Sequence, residues 1–296
     1  MGNGGVTRYL GIDAGGSNCR ARLVDANGRE LGAGRAGAAN AGIGIDALRA
    51  VLSDVIGQAT ANLSLAQRAQ VRVGMGVAGI RRPGVRAALE ASDFGVGPVT
   101  LASDAQIAHL GAHGGGDGAI LILGTGSAAV LRIDGQEVAL GGYGFPVSDE
   151  GSGAALGLSA VRHALRALDG RTQRTPLAEA VAARFDHDVL KAVAWMAGAG
   201  PRDYGALAPI VMDHADADDP IARSIVEDAA GHVERFIETI VARGVTRCAL
   251  GGGLAPRLRP WLRVRTVAHL CPPMGDPLDG AVRLAGYRPG ADDDVR

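Results

Sequence analysis

The first part of the chain alternates between short apolar runs and glycine-rich polar turns. Alternating apolar and polar positions, or short buried runs, predict strands in five segments: 7–12, 20–25, 29–36, 71–77 and 99–102. Helical spacing predicts helices in three segments: 45–63, 83–91 and 104–111. The pair Asn27-Gly28 is a strong signal for a tight hairpin. Three hairpin-linked strands followed by crossover helices predict a mixed sheet with helices on its faces.

The same plan begins again after a glycine-rich joint at 111–118. Strands are expected at 119–123, 128–133 and 137–140, with a second hairpin signal at Asp134-Gly135. The rest reads as mainly helical, in segments 153–168, 176–184, 187–198, 204–213, 219–243 and 277–286, with a strand at 247–250. The chain therefore predicts an α/β fold of two lobes. The expected division is 1–117, joined by 281–296, and 118–280.

Charge and lysine content exclude several classes of protein. The 296 residues carry a net charge of −1 and no run of Lys or Arg, so a nucleic-acid partner is not expected. Lys191 is the only lysine, and a P-loop requires Gly-Lys-Ser/Thr, so a Walker ATPase is excluded. Any bound phosphate must then be held by backbone amides, hydroxyl groups, arginine and metal.

The three cysteines, Cys19, Cys248 and Cys271, are far apart and odd in number. They predict neither a disulfide framework nor a zinc or iron–sulfur site. The N-terminus shows no signal peptide, and the longest uncharged apolar run, 118–131, is too short to cross a bilayer. We expect a cytoplasmic protein without a membrane partner.

The first candidate site is the segment 11–18, GIDAGGSN, which follows the first strand. Glycines there allow backbone N–H groups to point at an anion. Ser17 and Asn18 add side-chain donors, and Asp13 could hold Mg²⁺ through water. The alternative is a plain hairpin turn.

The second candidate is the segment 124–129, GTGSAA, which matches the dinucleotide fingerprint G-x-G-x-x-A. That fingerprint requires a helix after the turn, whereas a strand and a hairpin follow here, so we reject a Rossmann site. Together with the first turn, this segment is a candidate for a second phosphate-binding loop. If the two strand–turn–strand repeats face each other, the two glycine turns lie on opposite sides of one cleft.

Asp104 is the candidate general base. It follows a strand, at the edge where open α/β sheets bind ligands, and could accept a proton from an attacking sugar hydroxyl. The alternative role is the N-cap of the next helix.

Two further segments could hold substrate or nucleotide. Residues 141–153, GGYGFPVSDEGSG, join a glycine loop to a dense group of carboxylates and hydroxyls that suits a sugar, or alternatively caps a helix. Residues 249–254, ALGGGL, could border a flat adenine or could simply turn a strand into a helix.

Together these motifs resemble the sugar kinase, heat-shock-70 and actin superfamily. Within it the chain is similar to the BadF/BadG/BcrA/BcrD ATPase family, in its N-acetylglucosamine kinase branch and particularly to bacterial glucosamine kinases, over residues 8–288. The segments that carry the resemblance to the family are GIDAGGSNCRARL, LASDA, LILGTGS, GGYGFPVSDEGSGAALG and LGGG. The particular likeness to glucosamine kinases lies in FDHDVLKAVAW and GPRDYGALAPIVMDHADADDP. The resemblance to the family implies an actin-like ATPase fold, a duplicated ribonuclease H-like α/β fold with mixed sheets and a cleft between its lobes.

The resemblance also implies roles for single residues. Asp104 would be the catalytic base, and Asp13 would position Mg²⁺. ATP would be held by Gly15, Gly16, Ser17, Asn18, Gly124, Thr125, Gly126, Gly251, Gly252 and Gly253. The sugar would be held by Asn40, Asp104, Ser127, Gly142 and Asp149. Residues 279–281, Asp-Gly-Ala, match the place where a late helix packs at the hinge.

The implied reaction is ATP-dependent phosphorylation of glucosamine at its 6-hydroxyl. The nearest alternative is an N-acetylglucosamine or N-acetylmuramate kinase. Two others are an activator of 2-hydroxyacyl-CoA dehydratase, which needs cysteines for an iron–sulfur cluster, and a non-catalytic sugar sensor. The family also suggests a homodimer.

Overall fold

A computed structural model describes residues 7–289 of the chain. These residues form two compact units. The first unit comprises residues 7–117 and 272–289, and the second comprises residues 118–271. Each unit has its own sheet and its own hydrophobic core.

The sheet of the first unit has five strands in the order β3-β2-β1-β4-β5. The strands are β1 Arg8–Ala14, β2 Cys19–Asp25, β3 Glu30–Ala36, β4 Arg72–Val77 and β5 Val99–Ala102. β1, β2 and β3 pair antiparallel, and β4 and β5 extend the sheet in parallel to β1. The helices that follow are α1 Ile45–Ala59, α2 Leu65–Arg68, α3 Val85–Glu90 and α4 Asp104–His113.

The sheet of the second unit has four strands in the order β8-β7-β6-β9. They are β6 Gly118–Leu123, β7 Ser127–Ile133, β8 Gln136–Gly141 and β9 Cys248–Gly251. Again three antiparallel strands are joined by one parallel strand. The helices are α5 Gly153–Leu168, α6 Pro176–Ala183, α7 Val189–Met196, α8 Pro201–Gly205, α9 Ala208–Asp216, α10 Pro220–Ala242, α11 Ala255–Leu258 and α12 Val264–Val267.

The last helix, α13 Pro277–Leu284, belongs to the first unit. It packs against β1, β4 and α4, and Ala281 is fully buried there. A side chain at Gly74 would collide with the backbone of α13, which explains why a glycine stands in the middle of β4. The chain returns to the first unit at Pro272, earlier than the expected residue 281, because Met274 N–H already donates to Ala112 C=O at 3.0 Å.

The predicted α/β architecture with two mixed sheets is confirmed, including the repeated pattern of three strands joined by a glycine turn and a hairpin. Three helices differ from the sequence prediction. The expected helix 45–63 ends at Ala59, and a separate short helix, α2, follows because Ser64 and Gln67 form a capping box. The helix expected from Pro83 begins at Val85, since Gly84 has a left-handed φ of 78°. The expected helix 204–213 is two helices, α8 and α9.

Within residues 7–289, no helix is long and apolar enough to cross a membrane.

Candidate functional site

The first glycine turn, residues 15–18, joins β1 to β2 and is open on its outer side. Two backbone bonds fix its base: Gly15 N–H donates to Asn18 C=O at 3.0 Å, and Ala39 N–H donates to Gly15 C=O at 3.0 Å. Residues 16–18 are exposed. A Cβ added at Gly16 would meet no atom within 4 Å. The turn therefore has a fixed base and free space beside its backbone, as an anion cradle requires.

Asp13 lies one residue before the end of β1, beside this turn. Its carboxylate Oδ2 accepts a hydrogen bond from Arg20 Nη2 at 2.8 Å, and the side chain is 14% exposed. Oδ1 has no hydrogen-bond partner among the described residues. One oxygen is thus fixed and the other is available.

Residues 7–289 hold no cluster of three or more His, Cys, Asp or Glu residues that could bind a metal by itself. Asp13 nevertheless fits Mg²⁺, because Mg²⁺ usually keeps several waters and takes one or two carboxylates together with substrate phosphates.

Asp104 is the first residue of α4, directly after β5. Ser103, and not Asp104, is the N-cap: Ser103 Oγ accepts from Gln106 N–H at 3.1 Å, and Gln106 Oε1 accepts from Ser103 N–H at 2.8 Å. The capping role left open by the sequence is therefore filled by Ser103. Asp104 is left for another function.

Burial raises the pKa of Asp104 above its ordinary value. The backbone amide of Ala105 acts in the opposite direction, the charge of Asp13 adds to the rise, and Arg81 opposes it. The strand register places both carboxylates at one edge of the sheet, since Asp13 pairs with Gly76 and Gly76 pairs with Ala102, two residues before Asp104. A carboxyl group whose pKa is shifted toward neutral is better suited to accept a proton in catalysis.

Asn40 lies at the same edge of the first sheet. It pairs with Ala78, just beyond β4, and precedes a 3₁₀ turn at Ala41–Ile43. Its Oδ1 accepts from Gly42 N–H at 2.8 Å, which fixes the side chain, while the amide NH₂ group donates to no described residue. The first unit therefore brings together four of the predicted features: Asp13, the turn 15–18, Asn40 and Asp104.

The second glycine turn, residues 124–126, joins β6 to β7 and is held by α5. The N–H groups of Gly153 and Ala154 donate to the C=O groups of Gly124 and Thr125 at 2.8 and 3.1 Å. Gly124 N–H donates within the turn to Gly126 C=O at 2.9 Å. The amides of Thr125 and Gly126 have no hydrogen-bond partner within residues 7–289, and a Cβ at Gly124 would meet open space.

Asp149 supports this turn from behind. Its buried carboxylate accepts from the backbone amides of Ser127 and Phe145, and its φ of 68° is left-handed. Burial raises the pKa of Asp149 in spite of those two bonds. A Cβ added at Gly126 would lie 3.0 Å from Asp149 Oδ2, so a side chain here would press on the carboxylate.

Three predicted sugar contacts also have structural partners. Ser127 is 2% exposed, and its Oγ donates to Glu150 C=O at 2.7 Å, so this hydroxyl ties β7 to the loop. Gly142 has a φ of 71°, and a Cβ there would lie 2.8 Å from that of Ala128. The N-cap of α5 is Ser152, which excludes the capping role considered for Asp149.

Residues 251–253 also lie beside the second turn, because Leu254 N–H donates to Leu123 C=O at 3.0 Å. They differ in their surroundings. Gly252 has a φ of 86° and packs on the backbone of Leu123, whereas a Cβ at Gly253 would meet no atom within 4 Å. Of the three, Gly253 has the most open space beside its backbone.

The sequence analysis did not single out Arg20. The signal was present, since Asp13 and Arg20 each stand one residue outside the closing pair Ala14 and Cys19 of the first hairpin. Once Ala14 is paired with Cys19, the side chains of Asp13 and Arg20 lie directly opposite each other on one face of the sheet.

Comparison with known proteins places these features in a family. A model of the BadF/BadG/BcrA/BcrD ATPase family matches residues 10–264. The chain belongs to this family. Glucosamine kinase GspK of Vibrio cholerae is 38% identical over 281 residues, which are 94% of this chain and 95% of that protein.

Two solved structures are similar to the chain over most of its length. A Chromobacterium violaceum protein, provisionally described as an N-acetylglucosamine kinase, is 32% identical with a TM-score of 0.87, covering 95% of this chain and 99% of that one. A ROK family glucokinase from Streptomyces griseus is 19% identical with a TM-score of 0.57, covering 94% and 98% of the two chains. That second likeness concerns the fold alone, and it confirms the expected actin-like ATPase fold. Membership in the BadF/BadG/BcrA/BcrD family implies ATP as the nucleotide.

Proposed function

We propose that the protein is an ATP-dependent amino-sugar kinase that converts glucosamine to glucosamine 6-phosphate and ADP. The observation that carries this proposal is the environment of Asp104. It is a desolvated carboxylate at a strand end, its helix is capped by another residue, and it follows β5 at the sheet edge where β1 ends in Asp13 and the first glycine turn. The choice of glucosamine is supported by the 38% identity to the Vibrio cholerae glucosamine kinase.

In this proposal the carboxylate of Asp104 accepts the proton of the sugar 6-hydroxyl as O6 attacks the γ-phosphorus of ATP. A bond forms between O6 and the γ-phosphorus, the bond from that phosphorus to the β–γ bridging oxygen breaks, and ADP leaves. Such transfers depend mainly on positioning and on neutralising phosphate charge. General-base catalysis contributes about 10²–10⁴-fold.

The remaining residues bind and orient the two substrates. Phosphates would be bound by the open amides of the turn 15–18 in the first unit and by those of Thr125 and Gly126 in the second unit. Gly253 would border the adenosine. The sugar would be oriented by Asn40 and by the loop that contains Gly142 and Asp149.

Mg²⁺ bound with ATP would neutralise phosphate charge, and Asp13 is the residue that would hold it through water. For Ser127, which the sequence predicts to contact the sugar, we also infer a supporting role. Because its hydroxyl already donates to Glu150 C=O, it would support the sugar loop more than it contacts the sugar.

A second candidate substrate is N-acetylglucosamine, which is favoured by the likeness to the Chromobacterium violaceum protein. N-acetylmuramate stays a further alternative. The cysteines argue against an iron–sulfur electron donor, because Cys19 and Cys248 are buried in the cores of separate units and only Cys271 is partly exposed.

The test is ADP release from Mg-ATP by the purified protein with glucosamine, N-acetylglucosamine, N-acetylmuramate and glucose in parallel. We expect strong turnover on glucosamine and a loss of about 10²–10⁴-fold in kcat for Asp104→Asn. Asp46→Asn is the matched control, since that side chain is 99% exposed in the same unit, and it should keep full activity. The kinase proposal fails if no sugar stimulates ADP release, and the base assignment fails if Asp104→Asn turns over like the wild type.

A further inference from the structure

Arg20 is held between two carboxylates of the first unit. It stands opposite Asp13 in the β1–β2 register, and Nη2 donates to Asp13 Oδ2 at 2.8 Å. On its other side, Nη1 lies 3.6 Å from Oδ2 of Asp276. Its Nε is buried and makes no hydrogen bond within the described residues. The two carboxylates therefore set the position of this guanidinium.

Asp276 is itself a fixed group. It is the N-cap of α13, and its Oδ1 accepts from Asp279 N–H at 2.9 Å, while Asp279 Oδ2 accepts from Asp276 N–H at 2.8 Å. A planar guanidinium that bridges a capped helix end and a strand end has little freedom to move. Because Arg20 is held in this way, its hydrogen bond also fixes the orientation of the Asp13 carboxylate.

The bond from Arg20 has two consequences for Asp13. It fixes the carboxylate through Oδ2, which leaves Oδ1 as the oxygen available to hydrated Mg²⁺. It also places a positive charge at hydrogen-bond distance, which reduces the attraction of this carboxylate for any other cation. A lone, neutralised carboxylate binds Mg²⁺ weakly until substrate phosphates supply further oxygen ligands.

We propose that Arg20 is a positioning residue for Asp13, which orients the carboxylate for Mg²⁺ that arrives with ATP and keeps the metal from binding before the nucleotide. This inference rests on the proposed kinase function and on Asp13 as the residue that holds Mg²⁺. Under this proposal, Arg20 contributes to Mg²⁺ binding as well as to packing.

Arg22 provides a matched control on the same strand. It lies two residues along β2 on the same face, and it pairs with Asp279 at 2.7 Å and with Asp276 at 3.5 Å. It makes no ion pair with Asp13 among residues 7–289. A change at Arg22 therefore removes similar structural contacts and leaves the bond to Asp13 in place.

The first measurement is Mn²⁺ binding without nucleotide, followed by electron paramagnetic resonance, with Mn²⁺ as the probe for Mg²⁺. Arg20→Met leaves the partly buried Asp13 without its counter-charge, so we expect Mn²⁺ to bind roughly three- to ten-fold more tightly than to the wild type. Arg20→Lys keeps the charge and should bind Mn²⁺ like the wild type, as should Arg22→Met.

The second measurement is kcat with Mg-ATP and the preferred sugar. Loss of a group that orients a metal ligand typically costs about 10–100-fold, and we expect that loss for Arg20→Met. Arg22→Met should stay close to the wild type, even where both variants lower the thermal unfolding midpoint. Arg20→Lys should be intermediate, because an ammonium group cannot bridge both carboxylates as a guanidinium does.

The inference is overturned if Arg20→Met and Arg22→Met change Mn²⁺ binding or kcat to the same degree, or if Arg20→Met leaves both unchanged. If circular dichroism shows that Arg20→Met does not fold, Arg20→Lys and Arg22→Lys decide: a loss of kcat confined to Arg20→Lys supports the role, and equal values refute it. Failure of the kinase proposal is distinguishable, since the wild type would then phosphorylate no sugar while the Mn²⁺ titrations still test Arg20.

Discussion

The two glycine turns occupy equivalent places in the two sheets, but they are supported differently. The first turn, residues 15–18, rests on two backbone bonds and has exposed residues at its tip. The second turn, residues 124–126, is bonded to the first two residues of α5 and backed by the buried carboxylate of Asp149. The same strand–turn–strand plan thus yields one open turn and one braced turn.

The different support of the two turns gives two different reasons why a glycine can stand in such a turn. At Gly16 no atom of the described residues lies within 4 Å of the place of a side chain, so packing within residues 7–289 does not require a glycine there. At Gly126 the protein itself occupies that space with Asp149. Substitutions in the first turn should therefore affect activity alone, whereas substitutions in the second should affect both activity and folding.

The largest effect is expected for Asp149→Ala. It leaves the amides of Ser127 and Phe145 without their acceptor and places alanine at a φ of 68°, so we expect a loss of about 2–4 kcal/mol in the free energy of unfolding. Urea unfolding followed by tryptophan fluorescence measures this, because both tryptophans, Trp195 and Trp261, lie in the second unit.

Asp218→Ala is the control for the backbone effect, because apart from the left-handed φ it removes only an exposed ion pair with Arg223 at 2.9 Å. Asp218 has a φ of 62° in the same unit, and its side chain is 84% exposed. It should lose only about 1–2 kcal/mol. Equal losses for the two variants would show that the buried bonds of Asp149 contribute nothing.

A smaller loss in the free energy of unfolding is expected for Gly126→Ala, and almost none for Gly16→Ala. The new methyl group at 126 would press on Asp149 and should cost about 1–3 kcal/mol, while the one at 16 should change stability by less than about 0.5 kcal/mol. Gly16→Ala should nevertheless raise the KM for ATP. Thermal unfolding and ATP titration of both variants test this, and a stable Gly16→Ala enzyme with an unchanged KM would remove the phosphate role of the first turn.

The smallest effect concerns the stability of Asp104→Asn. Since burial raises the pKa of Asp104 in the folded protein, the ionised carboxylate costs stability at neutral pH, and a neutral amide avoids that cost. We expect a higher midpoint of thermal unfolding for the variant at neutral pH. The gain should shrink as the pH falls through the folded-state pKa, where the wild-type carboxyl takes up its proton. A variant less stable than the wild type at every pH would contradict this account.

The sequence predicted features whose signals are local. Asn27-Gly28 and Asp134-Gly135 mark the two hairpins, and both glycines have left-handed φ values of 80° and 75°. The glycine turns and Asp104 could be located because each directly follows an apolar strand. These local signals were enough to predict an α/β fold in which one strand pattern occurs twice.

Features that depend on distant neighbours could not be predicted in this way. Whether Ser103 or Asp104 caps α4 is decided by the backbone and by Gln106, and both types of residue are good caps. The reason for the glycine at 126 lies in a carboxylate more than twenty positions away, at Asp149. The partnership of Asp13 with Arg20 required the register of β1 and β2.

The position of α13 has a consequence for synthesis of the protein on the ribosome. The five strands of the first unit precede the second unit in the chain, yet the first unit also buries Leu278, Ala281 and Val282, which are translated after the second unit. The second unit is encoded by one uninterrupted stretch, 118–271. Because folding follows translation from the N-terminus, the nascent chain can complete its second unit first, while the sheet of the first unit stays without its packing partner until α13 emerges.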